Sequence, residues 1–202
     1  MKERTLKLVE LFESLQGEGG NTGRLVVFVR LTGCNLSCSF CDTAYNMMTL
    51  ELTPSELLAR IQTDFPHCKS IIWTGGEPTL QLTQEIVQLF KASGYWQALE
   101  SNGLKAAPLG LDYITLSPKG NTRPQVLEQY QNRQVGEVRI AIADGEALPA
   151  IEDLPQAEHY FLSPIFDGDT IVPANVSHCE ALIRRDPRWR LSLQTHKLIG
   201  IR

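Results

Sequence analysis

Seven short apolar runs constrain the fold of this chain more than any other feature. They are RLVVFVRL (24–31), KSIIWT (69–74), WQALES (96–101), DYITLS (112–117), GEVRIAIA (136–143), HYFLSP (159–164) and WRLSLQT (189–195). Several are apolar nearly throughout and rich in Val and Ile, the pattern of strands buried on both faces of a parallel sheet. Helical stretches alternate with some of them. Thr53-Pro54-Ser55-Glu56 combines a capping box with Pro at the first helical position, followed by the stripe Leu57, Leu58, Ile61, Phe65. Leu82, Ile86, Leu89 and Phe90 form a second stripe that Gly94 can stop, and weaker helices are expected near 122–133 and 174–186. The expected fold class is α/β, a partial, open TIM-like barrel with a parallel sheet of about six strands and fewer helices than a full barrel. The acidic, Pro-containing segment 144–158 reads as a surface connection. The 202 residues are expected to form a single domain, 1–202.

The bulk numbers exclude several function classes. A formal net charge of -4 argues against broad binding to nucleic acid or anionic membranes. No apolar run approaches the ~20 residues of a spanning helix, and MKERTLKLVELFESLQ lacks the apolar core of a signal peptide. The expected compartment is therefore the cytoplasm, with no membrane and no nucleic-acid partner.

The cysteines are unevenly placed. Of five, Cys34, Cys38 and Cys41 crowd into TGCNLSCSFCDT (32–43) with C-x3-C-x2-C spacing, while Cys68 and Cys179 stand alone and read as semi-buried thiols. In a reducing compartment such a cluster points to metal before disulfide. It follows the strand ending at Leu31, on the C-terminal edge where α/β folds build their sites. Two readings compete. A zinc site would need a fourth ligand, perhaps Cys68 or His67, and the chain has no second knuckle. An iron–sulfur site would hold three irons of a [4Fe–4S] cube and leave the fourth open.

The C-x3-C-x2-C spacing with Phe40 before the last Cys resembles the signature of the radical S-adenosylmethionine (radical SAM) superfamily. In that superfamily the amino and carboxylate groups of S-adenosylmethionine complete the fourth iron's coordination. TGGEPTL (74–80), at the end of the next strand, strengthens the likeness. It resembles the element in which Gly75, Gly76 and Glu77 approach the methionyl group, with the glycines permitting close backbone contact. On the same resemblance, Phe40, Asp42, Ser101, Ser117, Pro118, Lys119, Ser163 and Pro164 become cosubstrate contacts. Taken singly, those strand ends are ordinary turns.

FESLQGEG (12–19), Arg30, CDT (41–43) and SLQTHKLIGIR (192–202) together resemble the 7-carboxy-7-deazaguanine synthase family, over essentially the whole chain. The resemblance implies a carbon–nitrogen lyase that contracts the ring of 6-carboxy-5,6,7,8-tetrahydropterin to 7-carboxy-7-deazaguanine with loss of ammonia. That reaction lies on the route to queuosine and related 7-deazapurines. A 5′-deoxyadenosyl radical removes hydrogen from C6 of the pterin, and the cosubstrate is regenerated when the hydrogen returns. The resemblance also implies a magnesium ion bound by Thr43, an electron donor such as flavodoxin, and a homodimer. Its substrate shell maps onto Leu15, Gln16, Gly17, Glu18, Arg30, Thr74, His196 and the terminal carboxylate of Arg202. Arg30 offers a planar cationic fork for the substrate carboxylate, and Gln16 with Glu18 can pair with the amide and amino edges of a pterin. The segment 44–52 has no assigned role. The rivals are a different radical SAM enzyme, such as a glycyl-radical activase, and a zinc-stabilised binding module without catalysis.

Overall fold

The computed structural model describes residues 4–39, 41 and 45–201. Its contacts group into two compact units, one taking the chain up to Ser14 with Leu25–Ser101 and Ala107–Ile114, the other taking Leu15–Arg24, Asn102–Ala106 and the chain from Thr115 onward.

The first unit contains β1 (Leu6–Leu15, whose last residue groups with the second unit), β2 (Leu25–Leu31), β3 (Leu50–Leu52), α1 (Pro54–Asp64), β4 (Ser70–Gly75), α2 (Gln84–Ala92) and β5 (Trp96–Ser101). The strand order is β3-β1-β2-β4-β5. β2, β4 and β5 run parallel, and β3 pairs antiparallel with the start of β1. Consecutive residues of β2 and β4 are buried (Val26 and Val27; Ile71, Ile72 and Trp73), as strands covered on both faces require. Thr53 caps α1 through the capping box with Glu56, and Leu57 and Ile61 face inward. From α2, Phe90 meets Trp73 edge-on, with ring centroids 5.0 Å apart.

β6 (Tyr113–Leu116) contributes its first two residues to the first unit and its last two to the second. The second unit continues with α3 (Arg123–Gln129), β7 (Val135–Ile142), β8 (Ala157–Pro164), α4 (Pro173–Arg185), β9 (Trp189–Leu191) and α5 (Thr195–Ile199). The pairings β6–β7, β7–β8 and β8–β9 are all parallel. The C-terminal ends of these four strands therefore share one edge.

Three elements lie where the sequence reading placed none. LKLVELFESL is a ten-residue strand. Its apolar alternation is evident only at Leu6 and Leu8, which are buried on either side of exposed Lys7. Leu50–Leu52, inside the segment without an assigned role, closes against it. The run 189–195 stops being a strand after Leu191, and its end turns into α5. Cys68 and Cys179 are fully buried rather than half-buried; burial pushes the Cys179 thiol up to about 11.

A buried amide ties the first unit together. Gln97, 0% exposed, accepts from Trp73 Nε1 at 3.0 Å and donates to the Val87 carbonyl at 2.9 Å. Gln97→Met keeps the volume and strands both partners in the core. The expected loss is about 1–3 kcal/mol of unfolding free energy, read as a lowered urea midpoint. Trp73→Phe in the same background should recover part of it by removing the orphaned donor.

Candidate functional site

In the first unit, the parallel pairing of β2 and β4 sets Leu31 beside Gly75, so the loop after β2 and the turn after β4 leave from the same edge. The two are stitched backbone to backbone: Gly76 N–H donates to Leu31 O (3.2 Å) and Glu77 N–H to Gly33 O (2.8 Å). This approach requires both glycines. Gly75 sits at φ +135°, where a side chain is strained, and a Cβ there would strike the Leu31 backbone. A Cβ on Gly76 would collide with Gly33 O and lie 3.0 Å from Cys34 Cβ. Gln81 braces the loop from below, accepting from Lys7 N–H (2.8 Å) and donating to Thr32 O (2.9 Å).

On this loop Cys34 and Cys38 are half-exposed and Cys41 is exposed, open to an incoming metal centre. Burial pushes the Cys34 thiol up. The Leu36 N–H directed at its sulfur (3.4 Å) opposes that shift, and Glu77, Cys38 and Cys41 add to it. Loading iron there must therefore displace protons. A four-iron cube distributes its thiolates over separate irons. Cys68 cannot serve as the fourth ligand of a zinc site. It precedes β4, its thiol meets the carbonyls of Leu25 at the start of β2 (3.6 Å) and of Ser70 (3.4 Å), and it lies at the opposite edge from Cys34. The donor set fits an iron–sulfur cube.

Glu77 is 1% exposed. Its Oε1 accepts from Thr79 N–H (3.0 Å), Thr79 Oγ1 (2.6 Å) and Ser101 Oγ (2.9 Å). The carboxylate is thus fixed before any ligand arrives, and the Ser101 hydroxyl is directed at Glu77. Arg30 and Thr74 are register partners on β2 and β4. The Arg30 guanidinium is held by Glu10 of β1, with Nε 2.6 Å from Oε1. Phe40, Asp42, Thr43 and Arg202 lie outside the described residues.

The second unit gathers Gln16, Gly17, Glu18 and His196. Gly17 O accepts from Thr195 N–H (3.0 Å) and Oγ1 (2.8 Å), and a Cβ on Gly17 would overlap the His196 ring. Buried Gln16 turns its Oε1 to Glu18 N–H (3.3 Å). Glu18 Oε1 accepts from Gln194 Nε2 (3.0 Å), and Oε2 faces Arg139 Nε at 3.3 Å. Leu15 is exposed at the end of β1. Along the strand edge, Ser117 and Pro118 follow β6. Lys119 opens a turn closed by Thr122, whose Oγ1 accepts from Lys119 N–H (3.1 Å). Ser163 and Pro164 end β8, and the buried Ser163 Oγ has no hydrogen-bond partner among the described residues.

The sequence reading gave no role to Glu10, Glu137 or Arg139, nor to Thr79 and Ser192, which lie inside TGGEPTL and SLQTHKLIGIR. The available signal for two of them was VGEVRIAI (135–142), in which two charges, two residues apart, share one face of an otherwise apolar strand.

Gly76→Ala is expected to push the cysteine loop off the β4 turn. Iron and sulfide per chain after reconstitution, with absorbance near the visible iron–sulfur bands, should fall well below wild type while far-ultraviolet dichroism is retained.

Residues 28–146 match the radical SAM superfamily. The 7-carboxy-7-deazaguanine synthase of Haemophilus influenzae is 42% identical, over 98% of this chain and 95% of its own length. The protein of the same name from Bacteroides thetaiotaomicron is 38% identical, over 97% of this chain and 98% of its own length. Among solved structures, QueE from Escherichia coli superposes with a TM-score of 0.69 at 24% identity, covering 94% of this chain and 93% of that one. That likeness shows the fold, an α/β open barrel with a mostly parallel sheet.

Proposed function

The chain belongs to the 7-carboxy-7-deazaguanine synthase family of the radical SAM superfamily, and from that premise we propose that it converts 6-carboxy-5,6,7,8-tetrahydropterin to 7-carboxy-7-deazaguanine. The pterin loses one ammonia as its six-membered ring contracts, which makes the enzyme a carbon–nitrogen lyase on the route to queuosine. The observation that carries this reading is the Gly75-Gly76-Glu77 turn stitched to the cysteine loop. It sets a fixed carboxylate and an approachable backbone beside three thiols.

Cys34, Cys38 and Cys41 would hold a [4Fe–4S] cluster. With S-adenosylmethionine bound, that cluster supplies a 5′-deoxyadenosyl radical on reduction. Glu77 receives the cosubstrate's ammonium group, and because Thr79 and Ser101 already orient it, little ordering remains to be done on binding. Ser101 thus contributes through Glu77. The unpartnered Ser163 Oγ, with Pro164, Ser117, Pro118 and Lys119, supplies further cosubstrate contacts along the second unit's strand edge, and Phe40 and Asp42 flank the last cysteine. Arg30 takes the substrate carboxylate through a guanidinium that Glu10 keeps from swinging, with Thr74 beside it. Thr43 would offer a hard oxygen to Mg2+. Gln16 and Glu18 pair with the amide and amino edge of the pterin, backbone groups of Leu15 and Gly17 adjoin it, His196 packs at the same loop, and Arg202 is a further contact. In this reading the whole chain serves as one catalytic domain, works as a homodimer in the cytoplasm, and takes its electron from a donor such as flavodoxin.

The test is anaerobic turnover with reductant, S-adenosylmethionine, Mg2+ and the pterin, products read by mass and ultraviolet spectrum. 7-Carboxy-7-deazaguanine with little net consumption of S-adenosylmethionine is expected. Cleavage to 5′-deoxyadenosine without that product would move the substrate elsewhere. Cys38→Ala should abolish turnover with the fold retained. Arg30→Ala should weaken pterin binding by about 10–100-fold, the loss of a charge-assisted pair, and leave S-adenosylmethionine affinity within about twofold; equal losses would remove Arg30 from its assigned role.

A further inference from the structure

Arg139 and Glu137 stand two residues apart on β7, are 8% and 1% exposed, and belong to no motif that identified the family. Arg139 is shared between two carboxylates, with Nη1 3.1 Å from Glu137 Oε1 and Nε 3.3 Å from Glu18 Oε2. Glu137 commits its other oxygen to the loop, accepting from Gly20 N–H at 2.7 Å. One residue earlier, Gly19 N–H donates to Ser192 Oγ at 2.9 Å, and Gly19 lies so close to Glu137 that a Cβ would run into the carboxylate. The backbone just after Glu18 is therefore pinned by Glu137 and Ser192, and its side chain by Arg139 and Gln194.

Stability alone is a poor reason for this arrangement. Taking a guanidinium and a carboxylate out of water into a strand interior costs about what their attraction returns, and well-packed apolar residues serve as well. What the pair does uniquely is orient Glu18. An ionised carboxylate has about four acceptor positions, and Gln194 and Arg139 occupy one on each oxygen. That leaves about one acceptor position on each oxygen.

We infer that Arg139 and Glu137 are positioning residues that aim the Glu18 carboxylate at a ring N–H and an adjacent exocyclic amino group, and so set the preference for a 2-amino over a 2-oxo heterocycle. The inference rests on the pterin reading above. A 2-oxo ring would turn a carbonyl oxygen toward a fixed carboxylate, acceptor against acceptor. A site built to receive an N–H rejects the analogue lacking it more strongly than apolar fit can. Loosening Glu18 would let it rotate away, and the discrimination would fall along with the affinity.

The experiment is anaerobic titration calorimetry of the cluster-loaded enzyme with S-adenosylmethionine, with 6-carboxytetrahydropterin, and with its 2-oxo (lumazine) counterpart, for wild type, Arg139→Met, Arg139→Lys and Glu137→Gln. Wild type is expected to prefer the 2-amino ligand by at least about tenfold. Arg139→Met should weaken pterin binding by about 10–100-fold and bring the preference toward unity. Arg139→Lys should restore part of both, and S-adenosylmethionine affinity should stay within about twofold throughout. Glu137→Gln keeps the shape and should cost about three- to tenfold in pterin affinity with a reduced preference; it decides the question if Arg139→Met does not fold. Wild-type pterin affinity and preference in whichever of these variants is folded, or equal losses for pterin and S-adenosylmethionine, overturn the inference. A wild-type protein that binds S-adenosylmethionine but neither heterocycle overturns the pterin reading itself, and this inference with it.

Discussion

Everything in the first unit's candidate site depends on how closely the β4 turn can approach the cysteine loop. Two N–H···O bonds at 3.2 and 2.8 Å join the turn to Leu31 and Gly33, and they form only because neither Gly75 nor Gly76 presents a Cβ. The parallel register of β2 and β4 supplies the alignment, and the burial of Ile71, Ile72 and Trp73 holds β4 in place. Core packing thus fixes where the start of the cysteine loop stands relative to Glu77. A long-range property of the sheet becomes a local property of the chemistry.

The second unit solves a related problem with charge. Its loop carries the Glu18 carboxylate in one fixed direction, and no apolar contact can aim an oxygen. Directional hydrogen bonds can, at the cost of burying their ionised partners. Glu137 and Arg139 on β7, with Ser192 and Gln194 near the C-terminus, provide them. Each unit follows the same scheme, in which rigid strands carry the supporting groups and short loops present the candidate site residues.

Much of this was legible in the sequence because parallel-sheet strands buried on both faces are written as continuous Val/Ile runs, and because cysteine spacing and a Gly-Gly-Glu-Pro turn are local signals. The open α/β fold, the strand ends and the three-thiol loop follow from them. What could not be read was long-range. β1 buries a clear apolar pair only at Leu6 and Leu8, so it offers a weak alternation, and with β1 unrecognised the Glu10 partner of Arg30 had no place to be. Thr79 and Ser101, 22 residues apart in the chain, meet at Glu77, and no local pattern marks such a meeting. Glu137 and Arg139 left a trace, since two like-facing charges in an apolar strand need a reason, but the trace names no partner. The last run, 189–195, looked like strand throughout. It changes to helix because Thr195 is drawn to Gly17 O, a contact invisible from composition.

We propose that three thiolates hold a cube whose fourth iron is left for S-adenosylmethionine. Electron paramagnetic resonance of the reduced, reconstituted protein with and without S-adenosylmethionine tests it most directly. A reduced [4Fe–4S] signal whose g-values shift on adding S-adenosylmethionine, with hyperfine coupling when the methionyl nitrogen is 15N-labelled, is the predicted result. A cluster spectrum indifferent to S-adenosylmethionine, or a protein that takes up zinc and no iron, would contradict it.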